Sequence, residues 1–452
     1  MHRCRSAYQP ERPTRPFEAN KRIREESMSD QRTAGKAWVM VALLFGFMMI
    51  NFADKVIVGL AGVPIMTDLQ LTPKQFGLVG SSFFFLFSVS AIVTGFLVDR
   101  IHSKWALLAM GLIWALVQFP MLGKVGIETL IVCRIVLGAG EGPAYPVALH
   151  ATYKWFPDDR RALPGAIISQ GASIGVIIVV PILTWIITNY SWHYAFGSLG
   201  VVGLLWVLLF AIFGEEGPDV AARSAKADTL DRLPYRSLLL SPTNLASWCS
   251  YFGAYFGLAL VLSWFTPWLI KALGFSQSVA GQLTALPFLV GFFVVIGGGW
   301  VSESMMRRGY SSRAARGVLT GAALIVGGLA LLAAPFVASV ALKIVLVLIG
   351  VALPSIVYPI SPAILAEITP PSQRGAMLGI NSAVGTSAGI IAPYLMGSVI
   401  EGAASTVEGY SLGFSICGVV TLVGGVIGLL FLRPESQRAR FDIVKSAAVQ
   451  AT

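Results

Sequence analysis

Residues 133–146 read C-R-I-V-L-G-A-G-E-G-P-A-Y-P and lie in the middle of a long apolar run. Arg134 and Glu141 stand where hydrocarbon is expected. A charge at the centre of a membrane helix costs roughly 2.5–3.5 kcal/mol, so such residues face a protein interior or a watery cavity. At about 100° per residue, a spacing of seven returns the two charges to within about 20° of one helical face, about 10 Å apart along the axis. A direct ion pair would be stretched. Gly138 leaves that face bare between the charges, and Tyr145 continues it one turn beyond the glutamate. The pattern describes half of a pocket. A plainer alternative, an ion pair that only locks helices together, is better served by the nearer i, i+4 spacing.

Outward from this stretch the whole chain is apolar. Of 452 residues, 55% are hydrophobic and only 12% charged, with a mean hydropathy of +0.73, whereas about a quarter of the residues of a soluble protein are charged. This is the composition of a polytopic membrane protein. A formal charge of +10 would suggest nucleic acid as the partner of a soluble protein, but here its distribution follows membrane topology, and no nucleic-acid role is expected. Cys4, Cys133, Cys249 and Cys417 are isolated from one another, and His2, His102, His150 and His193 are equally scattered. Neither a disulfide framework nor a metal site is expected, and no cofactor.

Twelve stretches are long and apolar enough to span a bilayer: 38–62, 76–98, 105–123, 127–149, 163–188, 193–213, 243–270, 279–301, 315–336, 340–366, 375–400 and 410–432. The expected organisation is a tail over 1–37, a six-helix bundle over 38–213, a polar central loop over 214–242, a second six-helix bundle over 243–432 and a tail over 433–452. Residues 1–37 lack the apolar core of a secretory signal, and those before Met28 have the composition of a disordered tail. Met28 is expected to be the physiological start. With the N-terminus inside, 27 of the 33 Lys and Arg fall in inside segments, while only Lys74, Lys124, Lys271 and Lys343 lie outside and Lys55 and Arg134 lie within spans. This asymmetry predicts both termini in the cytoplasm.

The halves echo each other. The loop after the second span reads G-F-L-V-D-R-I-H-S-K from Gly95, and the loop after the eighth reads G-W-V-S-E-S-M-M-R-R from Gly299. Asp99 and Arg100 occupy the first loop and Glu303 the second. W-F-P-D-D-R-R-A-L-P-G (155–165) leads to Gly171, Gly175 and Pro181, as I-T-P-P-S-Q-R-G (368–375) leads to Gly385, Gly389 and Pro393. Each G-x-x-x-G permits close helix approach and each proline a bend, as two rocking bundles require.

Over roughly residues 36–435 the chain resembles the major facilitator superfamily, on its twelve spans in two halves, the polar central loop and G-F-L-V-D-R. The resemblance implies an all-α membrane protein of two pseudo-symmetric six-helix bundles. Ile101, His102 and Ser103 depart from the family's loop motif, so the implied gating contact rests on Gly95, Asp99 and Arg100, with Glu303 as the counterpart in the second half. N-F-A-D-K-V in the first span, R-I-V-L-G-A-G-E-G-P-A-Y-P, W-F-P-D-D-R-R and A-P-Y-L-M-G together resemble the anion:cation symporter branch, which includes bacterial sugar-acid and aromatic-acid transporters, sialin and the vesicular glutamate carriers. That resemblance implies proton coupling through Asp54 and Glu141 and anion binding at Lys55, in a multi-pass, monomeric protein of a bacterial inner membrane. Most relatives carry arginine at the position of Lys55, so a point charge replaces a bidentate grip.

Asp54 and Lys55 are the only charges deep in the first span, which makes four mid-membrane charges in the first half: two acids and two bases. With all four ionised the cavity is neutral. A monoanion would bring it to −1, and protonation of Asp54 or Glu141 removes that cost, so proton–anion symport is the electrostatically natural outcome. The second half offers neutral groups, Tyr251, Tyr255, Trp264, Tyr358, Asn381 and Ser382, to read the uncharged part of a substrate. Asn381 and, more weakly, Gln170 are amides inside spans and need partners, with hydrogen bonding between helices as the simpler alternative. Asn381 also resembles a ligand-contacting asparagine of sugar-acid members. The second span, S-S-F-F-F-L-F-S-V-S-A-I-V-T-G from Ser81, lacks the Gln-x-Pro-Gly-Gly run of sugar-acid relatives and favours a small or partly apolar carboxylate. The expected substrate-binding set is Lys55, Arg134, Tyr145, Gln170, Tyr255 and Asn381, acting on a small organic anion taken up with protons. A proton-coupled exporter would use the same charges. A membrane enzyme would need a nucleophile and base near one face, and a passive channel would not need the repeat.

Overall fold

A computed structural model describes residues 16–97, 102–156, 160–218, 233–370 and 373–441. Among these residues all regular structure is helical, and twelve helices are long and apolar enough to cross a membrane. They are α1 (Gly35–Leu60), α2 (Pro73–Thr94), α3 (Ser103–Leu122), α4 (Ile127–Tyr153), α5 (Leu163–Asn189), α6 (Trp192–Phe213), α7 (Pro242–Lys271), α8 (Gln277–Arg307), α9 (Arg313–Phe336), α10 (Val340–Ile368), α11 (Arg374–Gly402) and α12 (Thr406–Phe431). All twelve expected spans are present. Apart from the start of α1, the largest departure is at α8, where hydropathy stops at residue 301 but the helix continues to Arg307. Its last turn carries Glu303 and Arg307, exposed and 3.7 Å apart at i, i+4, a polar turn that hydropathy does not register. The helix of α1 also reaches back to Pro16, where the composition had suggested a disordered tail. That segment is rich in Glu, Arg, Lys and Ala, which lose little on entering a helix.

The helices pair in the same way twice. In the first bundle α1 packs on α5, α2 on α4 and α3 on α6; in the second α7 packs on α11, α8 on α10 and α9 on α12. Between bundles α2 meets α11, its symmetry mate α8 meets α5, and α1 meets α7. A shift of six helices therefore maps the contacts of one half onto those of the other.

Among the described residues, hydrogen bonds join the two bundles at the end away from the termini. There Gln277 Nε2 donates to the carbonyl of Leu60 at 2.8 Å, and the Lys74 N–H donates to Glu401 at 3.1 Å. Nearer the middle, the Tyr394 N–H donates to Ser81 Oγ at 3.1 Å, and the hydroxyls of Ser88 and Thr386 lie 2.8 Å apart. Gly77 permits this closeness, since a Cβ there would come within 2.5 Å of the Pro393 carbonyl oxygen. Pro393 lies inside α11 at the same place, and its carbonyl accepts from the Trp264 indole at 2.9 Å, tying α11 to α7.

Candidate functional site

The quoted stretch folds as a broken helix. Its first part ends at Glu141, the Gly142 N–H closes on Gly138 O at 3.0 Å, and a second helical segment begins at Ala144 after Pro143. Proline cannot supply the N–H that would continue the ladder, so the break falls next to the acid. Gly138 and Gly142 lie against the backbone carbonyls of Phe83 and Phe87, where any Cβ would overlap. Two helices in backbone contact bring those rings under the cations.

The structure assembles all four mid-membrane charges, each at most 4% exposed. Lys55 Nζ lies 2.7 Å from Glu141 Oε2 and also donates to Asn51 Oδ1. Asp54 Oδ1 accepts from Gln118 Nε2 at 2.7 Å, while Arg134 Nη1 donates to the backbone carbonyl of Asp54 at 3.0 Å. Glu141 therefore takes its partner from α1, as the spacing within α4 required. Beyond the ion pair, three polar positions are left over: Asn51 Nδ2, Arg134 Nε and Glu141 Oε1 are buried with no hydrogen-bond partner. Phe83 lies 4.6 Å from the Arg134 guanidinium, and Phe52, Phe87 and Phe83 lie 4.7, 5.3 and 5.7 Å from Lys55 Nζ. Lys55 and Arg134 line a small cavity with Phe83, Phe84, Leu262 and Ser263. It is closed down to room for about one water molecule.

The other expected residues are placed unequally. Tyr255 is 7% exposed and meets Phe84 edge-on across the seam at 5.8 Å. Asn381 is buried, but its Oδ1 accepts from Ser361 Oγ at 3.1 Å, and Ser361 lies 2.8 Å from Ser247. It thus takes the simpler part, tying α7, α10 and α11 together. Tyr145 is not joined to the ion pair: it is 43% exposed and its hydroxyl meets Ser169 at 2.7 Å, because the break at Gly142 and Pro143 interrupts the face it was expected to continue. Gln170 is half-buried in α5. Trp264, expected to face a substrate, is 1% exposed and packs against Phe76 and Tyr410, so it belongs to the seam. Gly95 lies in the helix that continues α2 to Leu97, whereas Asp99 and Arg100 fall outside the described residues. Glu303 pairs with its own helix through Arg307.

The sequence reading missed Gln118 and Asn51, the amides that hold Asp54 and Lys55. The signal was there, since both are amides within spans, like Asn381. Glu216 was also missed. It accepts from the Lys104 and Ser103 N–H groups at 3.0 and 3.3 Å and from Lys154 Nζ, fastening the start of α3 to the end of α4.

Residues 43–353 and 311–450 match the model of the Major Facilitator Superfamily. The chain is 26% identical over 406 residues to a hexuronate transporter of Bacillus subtilis, covering 87% of this chain and 94% of that one. It is 30% identical over 409 residues to a probable sulfoacetate transporter of Cupriavidus necator, covering 85% and 91%. Among solved structures, a bacterial homologue of the human lysosomal transporter Spinster, inward-facing and occupied, superposes with a TM-score of 0.74 at 18% identity, over 89% of this chain and 97% of that one. Twelve spans paired identically in two halves, with charges gathered at mid-membrane in one of them, are thus the frame of a transporter and not of an enzyme, and the chain belongs to the Major Facilitator Superfamily, where it stands among the anion carriers.

Proposed function

We propose that the protein takes up an organic carboxylate monoanion together with a proton, by alternating access of the cavity between its two bundles. The observation that carries this reading is Arg134: a buried guanidinium in the cavity wall, held on one side by the Asp54 carbonyl, with Nε left without an acceptor. A buried cationic donor without a partner is costly, and an incoming carboxylate supplies what is missing. That the relatives named above are transporters of hexuronate and sulfoacetate, both anions, agrees with it.

Lys55 gives the proton its place in the cycle. While Glu141 is ionised, Lys55 is engaged by it at 2.7 Å. Once Glu141 takes up a proton, the ammonium loses its counter-ion and becomes available to the substrate, so proton and anion bind cooperatively through one shared lysine. The four charges sum to zero before either ligand arrives and again after both have, which avoids leaving a net charge in a low-dielectric site. Asp54, held by Gln118, keeps the Arg134 side of the site neutral in both states. With the termini in the cytoplasm of a bacterial cell, as the Lys and Arg distribution predicts, the tight seam at Leu60, Lys74 and Gln277 closes the outer side, and Asp99 and Arg100 fasten the inner side when the carrier reverses.

The test is a thermal-shift screen of purified protein against organic acids, including glucuronate and sulfoacetate. A ligand of the folded state stabilises by RT ln(1 + [L]/Kd), about 2.7 kcal/mol at a hundred times Kd. At least one carboxylate should raise the melting temperature of the wild type and fail with Arg134→Gln. If no carboxylate shifts the wild type, or the shift survives Arg134→Gln, the assignment is wrong.

A further inference from the structure

The groups around the cavity divide by whether they are already engaged. Asn51 is held by Lys55 and Gln118 by Asp54. Ser88 and Thr386 bond each other across the seam, and Ser361 bonds both Asn381 and Ser247. Most of the neutral amides and aliphatic hydroxyls at this level are therefore engaged, with Asn51 Nδ2 the buried exception. Beyond its cations the cavity presents mostly apolar surface, the rings of Phe83 and Phe84 with Val58 and Leu262, and Ser263 beside them.

That surface is continuous across the seam. Phe83 lies against Arg134, Phe84 packs edge-on to Phe83 at 4.9 Å, and Phe84 then meets Tyr255 at 5.8 Å with the ring planes 89° apart. Tyr255 stacks on Tyr251 at 6.4 Å, and Tyr358 meets the two at 6.5 and 5.4 Å. The Phe84 ring lies flat over Gly389 of α11, where a Cβ would overlap it, so the second bundle is shaped to admit this ring.

We infer that the substrate is an aryl monocarboxylate, its carboxylate on Arg134 and Lys55 and its ring between Phe84 and the group formed by Tyr251, Tyr255 and Tyr358. The inference rests on the anion reading above and narrows it. A flat ring entering between Phe84 and Tyr255 replaces their mutual edge-to-face contact with two new ones, a geometry aromatic rings favour. A polyhydroxylated chain would need a partner for every buried hydroxyl, and a site that leaves few amides and hydroxyls unengaged penalises such a substrate.

The experiment measures half-saturating concentrations by thermal shift for three probes on the full-length protein: benzoate, cyclohexanecarboxylate of similar size without a π-face, and D-gluconate. Benzoate should bind at least roughly tenfold more tightly than either of the others, and Phe84→Leu should weaken benzoate by roughly tenfold while Tyr255→Phe, which keeps the ring, changes it little. Equal binding of benzoate and cyclohexanecarboxylate overturns the aromatic assignment, as does gluconate binding as tightly as benzoate in an Arg134-dependent manner; in both cases the anion reading stands. If none of these carboxylates and no other in the screen binds, both readings fall. The wild-type ranking needs no variant, so a variant that fails to fold does not block the test.

Discussion

The two bundles share one frame and bury opposite chemistries. At mid-membrane the first half holds two acids and two bases, Asp54, Glu141, Lys55 and Arg134, on α1 and α4. The second half holds neutral pairs there, Ser247 with Ser361 and Ser361 with Asn381, and a cluster of tyrosine rings. Its half-buried acid–base pair, Glu367 with Arg316 at 2.5 Å, lies at the end near the termini. Yet at that same end the halves repeat each other closely. Glu216, after α6, accepts from the N–H groups that open α3, and Glu435, after α12, accepts from the Ser312 N–H just before α9. An acid at a helix N-terminus satisfies unpaired N–H groups and complements the helix dipole. Symmetry is kept where a helix start must be satisfied and dropped where a ligand must be bound. On the proposed function, the charged half supplies the proton and anion chemistry, and the neutral half the shape against which it closes.

This contrast can be broken from the charged side first. Lys55→Gln removes the cation facing Glu141 and should abolish transport. If the site keeps both acids ionised, breaking the pair also costs about 3–5 kcal/mol of stability. In the double variant Lys55→Gln/Glu141→Gln stability should return while transport does not, as melting curves and uptake assays on the same preparations will show. Additive stability losses would mean that the 2.7 Å contact carries no coupling.

Gln118→Leu is expected to be smaller. It leaves the buried Asp54 carboxylate without its amide donor, at about 1–3 kcal/mol, and should weaken anion binding through the Arg134 that shares Asp54. An unchanged melting temperature would show that Asp54 finds another donor. Asn381→Ala, its counterpart in the neutral half, removes one side-chain bond within the membrane and should cost about 0.6–1.7 kcal/mol, with transport largely kept. A complete loss of transport there would erase the contrast between the halves.

The smallest effect concerns the shared frame. Burial works to raise the Glu216 carboxyl, but Lys154 and the backbone N–H groups of Lys104 and Ser103 outweigh it and hold the group below the ordinary glutamate value. A lowered folded value means that its contribution is present above the unfolded value of about 4.3 and is lost as the pH falls through the folded one. The gap in melting temperature between wild type and Glu216→Gln should therefore be steady near neutrality and close below about pH 4. A gap that widened on acidification would have the wrong sign.

The frame was legible in the sequence because a bilayer imposes a length on every span, and twelve apolar runs reveal themselves one at a time. The presence of a charged site was legible for a related reason: Asp54, Lys55, Arg134 and Glu141 are too costly at mid-membrane to be incidental. Pairings were less so. Periodicity put Arg134 and Glu141 on one face but could not show that Glu141 reaches across to Lys55, since that contact depends on how α1 and α4 cross. Tyr145 was projected along an unbroken helix, and Pro143 broke it. Trp264 stood among the neutral groups offered to a substrate, although ordinary packing is the stronger reading of any one aromatic within a span, and its contacts with Phe76, Tyr410 and the Pro393 carbonyl are those of packing.

The central claim is that Glu141 carries the coupling proton, and Glu141→Gln tests it most directly by fixing the site in its protonated form. The measurement compares counterflow with accumulation driven by an imposed pH gradient in reconstituted vesicles, using the carboxylate identified by thermal shift and Asp54→Asn in parallel. Exchange of one bound anion for another never requires the empty, deprotonated carrier to reorient, so Glu141→Gln should keep counterflow and lose uphill accumulation. If it still accumulates substrate in proportion to the imposed pH difference, Glu141 is not the coupling acid and the shared-lysine account is contradicted.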